Sequence, residues 1–280
     1  MGTNRLSTDE ADAVRALAER CRLADGVTPL NEDAHFALED ASAEHRLLTE
    51  GSGVVGYLQW QPRHDTAQLM VDPARRRRGV GSTLLADLAT RTDPRVWAFG
   101  DLPPARGFAA AHGLAPVRAL LMMTRPLAGI RPPAVPPGVT LRGYTDADAA
   151  DLLAVNAAAF AHHPEQGGLD ADGLAKRMAE DWFDPDGLIL ALDADGLAGF
   201  HWTKAEHGTG EVYVVGVHPR AQGRGYGRLL LDAGLSHLAA QGLRTVDLYV
   251  DAADGIAVRM YERAGFAEAH RDALYAHNQE

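Results

Sequence analysis

Alternating and helical spacings of apolar residues divide the chain into strands and helices that occur twice in the same order. Val14, Leu17 and Cys21 share a helical pattern, and Ser7 and Glu10 have capping-box spacing. A helix is therefore predicted from about Thr8 to Leu23, ended by Asp25-Gly26. A short helix is predicted near Asp33–Asp40, then strands at His45–Thr49, Val54–Gln61 and Ala67–Val71. An Arg- and Gly-rich loop follows, then a helix from about Val80 to Thr90, a strand at Arg95–Phe99, a short helix at Pro104–Ala111 and a strand at Val117–Thr124. The second half repeats the order. A strand is read at Val139–Arg142, a helix at Asp146–Phe160, a His/Pro/Gly loop at His162–Gly168 and a helix to about Asp181. Strands at Leu188–Asp193, Leu197–Lys204 and Glu211–Val217 lead to a second Gly-rich loop. A helix at Gly225–Gln241, a strand at Arg244–Val250, a helix at Ile256–Ala264 and a strand at Phe266–Ala276 complete the pattern. This order predicts an α/β fold, an α+β mixed sheet with helices on both faces.

Pro126, Pro132, Pro133, Pro136 and Pro137 cluster with Gly129 and Gly138. Such a stretch forms neither ladder nor helix and tends to be extended and stiff. It predicts a first domain at 1–125, a linker at 126–138 and a second domain at 139–280. The two loops support duplication: Pro73 and Pro219, Gly79 and Gly225, and Gly81 and Gly227 all lie 146 positions apart. A strand turning into a helix through glycines aims several backbone N–H groups at one spot, where the helix dipole adds partial positive charge. A pyrophosphate suits such a spot. The spacing is not that of a P-loop, because no Gly-Lys-Ser/Thr follows.

Composition narrows the partners. The 280 residues suffice for two domains, and 46% hydrophobic with 23% charged residues is ordinary for a globular chain. A net charge of −11 argues against a nucleic-acid partner. No apolar run approaches the ~18 residues of a membrane span. Asp9, Glu10, Asp12 and Glu19 leave no room for a signal-peptide core, so a cytoplasmic protein is expected. Cys21 is the only cysteine, excludes an internal disulfide, and reads as a buried, inert thiol. His162 and His163 lack a matched Cys/His set, so no metal is expected.

The loops resemble the Arg/Gln-x-x-Gly-x-Gly/Ala signature of the GCN5-related N-acetyltransferase (GNAT) superfamily, which cradles the pyrophosphate of acetyl-CoA. Arg76, Arg77, Arg78, Gly79, Val80 and Gly81 match it once, after the strand end Leu69, Met70 and Val71. Gln222, Gly223, Arg224, Gly225, Tyr226 and Gly227, followed by Arg228, match it again after Val215, Gly216 and Val217. Asp254, Gly255, Ile256, Ala257, Val258 and Arg259, continuing to Tyr261, Gly265 and Phe266, resemble the family's Asn-x-x-Ala-x-x-x-Tyr-x-x-x-Gly-Phe segment, with Asp254 in place of Asn. The stretches Gly100–Arg106, His162–Gly168, Gly199–Lys204 and Gly210–Val217 resemble the mycothiol synthases, a tandem-domain branch of that superfamily. That branch acetylates the cysteinyl amine of cysteinyl-glucosaminyl-inositol, the last step of mycothiol assembly. The resemblance spans nearly the whole chain. It implies two tandem GNAT domains, acetyl-CoA as co-substrate, a small-molecule acceptor and a monomer.

An amine attacks a thioester only when neutral, so the chemistry needs a base and, for the departing thiolate, an acid. The resemblance assigns Glu211 as the base and Tyr261 as the acid. A backbone N–H of Val215–Val217 is the expected donor to the developing oxyanion. Glu165, Lys204, Glu211 and Tyr249, with Glu32 from the first half, would line the acceptor pocket. Glu32 also reads as the start of a helix, and Tyr249 as a strand residue in a cross-strand pair. The halves differ: Gly113-Leu114 matches Gly265-Phe266, so Ala109 stands where the second half has Tyr261, while Asp65 lies 146 positions before Glu211. The first half is therefore expected to keep a cofactor-binding shape with little or no transfer. A tandem GNAT acting on another small cationic amine, or a non-catalytic acyl-CoA-binding regulator, are the alternatives.

Overall fold

The computed structural model describes residues 3–88, 91, 94–161 and 166–277. Its contacts group into two units. One comprises Met1–Leu121 with Asp251–Ala253 and His270–Glu280, and the other Met122–Val250 with Asp254–Ala269.

The first unit opens with helix α1 (Thr8–Asp25). The Ser7 hydroxyl accepts from the Glu10 amide, Glu10 accepts from the Ser7 amide in return, and Gly26 closes the helix at φ 74°. Helix α2 (Glu32–Phe36) is capped by Asn31. Strands β1 (Glu44–Glu50), β2 (Gly53–Gln61) and β3 (Thr66–Val71) form an antiparallel run. Helix α3 (Val80–Ala86) crosses over to β4 (Arg95–Ala98), which pairs parallel to β3. Helix α4 (Pro103–Ala111) leads into β5 (Leu114–Pro126). The far end of the chain completes this sheet: in β11 (Ala267–His277), Ala273, Leu274 and Tyr275 pair antiparallel with Ala98, Trp97 and Val96. Val14, Leu17, Cys21 and Tyr57 pack on the α1 face, and Leu58, Trp60, Leu84 and Leu88 on the α3 face. Full burial of each such side chain contributes about 1.5–3 kcal/mol. Cys21 is 1% exposed and donates to the Val71 carbonyl, and burial pushes its thiol pKa up.

The second unit repeats the plan. Strands β6 (Thr140–Gly143), β7 (Leu188–Asp193), β8 (Gly196–Glu206) and β9 (Thr209–Val217) are antiparallel neighbours. Helices α5 (Ala149–Ala159) and α6 (Ala171–Met178) contribute to one face, with Trp182, Phe200, Trp202 and Val214 at its core. Helix α7 (Tyr226–Ala240) covers the other, over Ile189, Ala198 and Val215. Strand β10 (Thr245–Asp251) runs parallel to β9, and helix α8 (Gly255–Arg263) precedes β11. Between Leu127 and Val139 the chain is neither helix nor strand. Among the described residues, no helix is long and apolar enough to cross a membrane.

Candidate active site

The two glycine loops fold alike. Gln222 Nε2 donates to the Val217 carbonyl at 3.3 Å, and Arg76 Nε donates to the Val71 carbonyl at 3.2 Å, each clamping its loop to the strand end five residues back. Arg76 also forks onto Asp25 at 2.7 and 2.6 Å. Gly225 caps α7 at φ 88° and Gly79 caps α3 at φ 86°, a left-handed turn glycine makes without steric cost. Both helices thus open with their first-turn amides beside the strand end, which suits a pyrophosphate. A Cβ on Gly227 would lie 3.5 Å from Met260 Sδ, and one on Gly81 would lie 3.1 Å from Phe108. Phe108 and Met260 therefore occupy matching places on α4 and α8, and so do their neighbours Ala109 and Tyr261.

Each unit contains a fork between two parallel strands. The β9–β10 pairing covers Gly210 with Val246 and Glu211 with Asp247, and the β3–β4 pairing covers Thr66–Gln68 with Arg95–Trp97. Beyond these pairs the strands part. Val215, Gly216 and Val217 stay paired with β8 on one side, while their other edge opens into the fork. Leu69, Met70 and Val71 do the same in the first unit, where the fork widens into a pocket of ≈ 580 Å³ that also includes Arg76, Arg77, Gly79, Phe108 and Ala109. An extended thioester arm with a pyrophosphate end matches this layout, because parted strands offer backbone donors and acceptors along their length.

A one-residue bulge distinguishes the second fork. Trp202 pairs with Val214 and Thr203 with Val212, so Tyr213 is the extra residue of β9. Side chains alternate faces along a strand, and a one-residue insertion flips everything beyond it. Val215 and Val217 pack on the α7 side with Leu230, whereas Tyr213 and Val214 both pack on the Trp182 side. Gly210 faces Leu238 of α7, which places Glu211 on the Trp182 face, beside its ladder partner Lys204. In the first unit the β2–β3 register runs unbroken from Gly56↔Val71 to Gln61↔Thr66. The ladder equivalent of Glu211 is therefore Thr66, not Asp65. Thr66 is 3% exposed, and Asp65 sits in the preceding turn at φ 54°, paired with Arg95 at 3.4 Å.

Glu211, Lys204 and Asp247 occupy adjacent ladder positions at the vertex of the second fork. Tyr249 lies two residues beyond Asp247 and is 50% exposed. Lys204 Nζ sits 4.8 Å over Trp182 and 3.3 Å from Glu206. Tyr261 is 8% exposed, its ring edge-on to Phe266 at 5.8 Å, and burial, aided by the charge of Asp254, pushes its pKa up to about 12. Asp254 caps α8, accepting from the Ile256 and Ala257 amides at 3.1 and 3.0 Å. A carboxylate oxygen thus serves where the family's Asn would. Gly255, Val258 and Arg259 continue that helix, and Arg78 and Val80 lie in the first loop and at the start of α3. Arg224 stands over the Tyr226 ring, and Arg228 pairs with Asp232. Glu32 begins α2 of the first unit, and Glu165 lies outside the described residues. Three residues escaped sequence reading: Asp247, Tyr213 and Arg177. Strand periodicity puts Asp247 on the face of Tyr249, but its place opposite Glu211 depends on the β9–β10 register, which no local pattern encodes.

The fold and the forked, glycine-capped strands are those of a GNAT acetyltransferase. Residues 157–266 match the model of the acetyltransferase (GNAT) family. Two solved structures share the fold: a tandem GNAT protein from the clavulanic acid biosynthesis pathway (TM-score 0.74, 21% identity, 100% of this chain and 98% of that one) and a GCN5-related N-acetyltransferase from Sphaerobacter thermophilus (TM-score 0.71, 24% identity, 97% and 93%). Much closer in sequence are the mycothiol acetyltransferases of Propionibacterium freudenreichii (47% identical, covering 97% of this chain and 90% of the relative) and Nocardia farcinica (47%, covering 99% and 97%). The chain belongs to the mycothiol acetyltransferase family.

Proposed function

We propose that the protein transfers acetyl from acetyl-CoA to the cysteinyl amine of cysteinyl-glucosaminyl-inositol, completing mycothiol, and that the second unit performs the reaction. The observation that carries the assignment to this unit is the asymmetry of the forks. Only the second has a carboxylate at its vertex, Glu211, and a phenol, Tyr261, at the matching place on the helix behind it. The first has the buried, neutral Thr66 and Ala109.

The thioester lies in the fork, its pyrophosphate on the amides from Gly223 to Arg228 and its arm along Val215–Val217. Glu211, directly or through a water, takes the proton of the acceptor ammonium. The amine nitrogen bonds to the acetyl carbon, backbone N–H groups of Val215–Val217 stabilise the negative charge developing on its oxygen, and the C–S bond breaks. Tyr261 supplies the proton to the departing sulfur and is reprotonated, through solvent, by the second proton that the nitrogen sheds on becoming an amide. Lys204, Asp247, Tyr249 and Glu165 are the acceptor side. The acidic groups suit a cationic amine, and Lys204 suits hydroxyl oxygens of a sugar–inositol. The first unit holds acetyl-CoA in its ≈ 580 Å³ pocket without transferring from it. The protein works in the cytoplasm, as a monomer and without a metal.

Thiol release from acetyl-CoA over a panel of amines tests the reading. The cysteinyl pseudodisaccharide should give the highest kcat/KM. Faster turnover of an aminoglycoside or a polyamine would withdraw the acceptor, and no turnover with any amine would favour a binding regulator.

A further inference from the structure

The bulge that turns Glu211 toward the acceptor face is itself held by side chains. Its extra residue, Tyr213, has its ring 5.0 Å from Trp182 and 5.4 Å from Trp202, edge-on to the latter. Its hydroxyl accepts from Arg177 Nε of α6 at 2.7 Å. Arg177 is tied in turn to the Gly173 carbonyl one turn earlier on its helix. The first unit serves as an internal control. Its β2–β3 ladder has no bulge, its parallel pairing runs two residues further, to Gln68↔Trp97, and the ladder equivalent of Glu211 is the neutral Thr66. Where the bulge is absent, the fork opens later and no carboxylate projects at its base.

We propose that Arg177 and Tyr213 are positioning residues for the transfer reaction, locking the β9 bulge so that Glu211 projects from the fork vertex onto the acceptor face. The inference rests on the reading of Glu211 as the base. A bulge left without this clamp has an alternative: the extra residue slides along the ladder, and Glu211 rotates toward the α7 side with every residue before it. A base displaced by about 1 Å can lose up to ~100-fold in rate. The Tyr213→Phe change keeps the aromatic packing and removes only the anchor, so the expected loss is smaller, about tenfold in kcat.

The test is a double-mutant cycle on the full-length protein, with Tyr213→Phe combined with Glu211→Gln, and Arg177→Gln as a second probe of the same anchor. Circular dichroism and thermal melts confirm the fold of each variant. Tyr213→Phe and Arg177→Gln should each lower kcat about tenfold and leave KM for acetyl-CoA unchanged. In the Glu211→Gln background the same changes should have almost no further effect. An undiminished tenfold loss in that background, with Glu211→Gln itself slow, would overturn the positioning role while leaving the base intact. A wild-type rate for Glu211→Gln alone would remove the base, and the positioning role with it.

Discussion

Replacing Tyr261 with phenylalanine isolates the acid step. The change removes one oxygen and leaves the ring against Phe266. The structure bounds its effect. An efficient proton donor has a pKa near the working pH, whereas burial on α8 pushes this phenol up to about 12. An ordinary thiolate has a pKa of about 8.5, so full transfer from the phenol would be uphill by roughly 3–4 pK units even to the cleaved thiolate, and by more before C–S cleavage. Tyr261 therefore acts by hydrogen-bonding the sulfur as charge develops, with the proton passing late. That places its contribution at the low end of the usual range for general acids, about 100-fold, or about 2.7 kcal/mol. Single-turnover and steady-state thiol release should show kcat down by about that factor and KM for acetyl-CoA nearly unchanged. The wild-type enzyme should show no alkaline fall in kcat from this group below about pH 10. A Tyr261→Phe enzyme within threefold of wild type, or an alkaline limb near neutrality that vanishes in the variant, would rule out this role for Tyr261. The same shift has a stability consequence. A folded pKa above the ordinary 10 means stability is intact below pH 10 and falls as pH rises toward 12, by at most about 2.7 kcal/mol. Tyr261→Phe should abolish that alkaline loss in denaturant titrations.

Two further outcomes probe the scaffold. Asp254→Ala should cost about 1 kcal/mol of stability to urea by uncapping α8, and Asp254→Asn only a few tenths, since both residues cap well; equal losses would deny the cap its role. Asp272, 4% exposed and accepting from the Gly100 amide, has its carboxyl pKa raised, burial being the main cause. Its contribution is intact below the ordinary pKa near 4 and lost as pH rises through the raised value, so Asp272→Asn should raise Tm at pH 7 and make little difference near pH 3. A lower Tm at pH 7 would show that the carboxylate is needed there.

Most element boundaries were legible to within two residues, whereas α2, α3, β5 and α6 begin or end three or four residues from where the pattern puts them. The Ser7–Glu10 capping box marked the start of α1, and the strand at 188–193 was read to the residue. The glycine loops were legible because left-handed caps demand glycine. The vertex of the fork was less so. Counting back from the loops aligns Asp65 with Glu211, but the bulge at Tyr213 shifts the true match to Thr66. A bulge is a relation between two strands, and neither strand's hydrophobic period announces it. The same holds for Arg177, whose partner Tyr213 lies 36 residues away. Helical spacing says which face Arg177 is on, not what it meets.

The pairing of β11 with β4 has a consequence for how the protein is made. Strand β11 supplies the sheet partner of a strand that left the ribosome at least 175 residues earlier, since Ala98 pairs with Ala273. The first unit must therefore wait, with the edge of β4 open, until β11 has been synthesised. Cutting the chain at its proline-rich stretch would leave the first half without its closing strand, and a stop ahead of β11 would damage the half translated first.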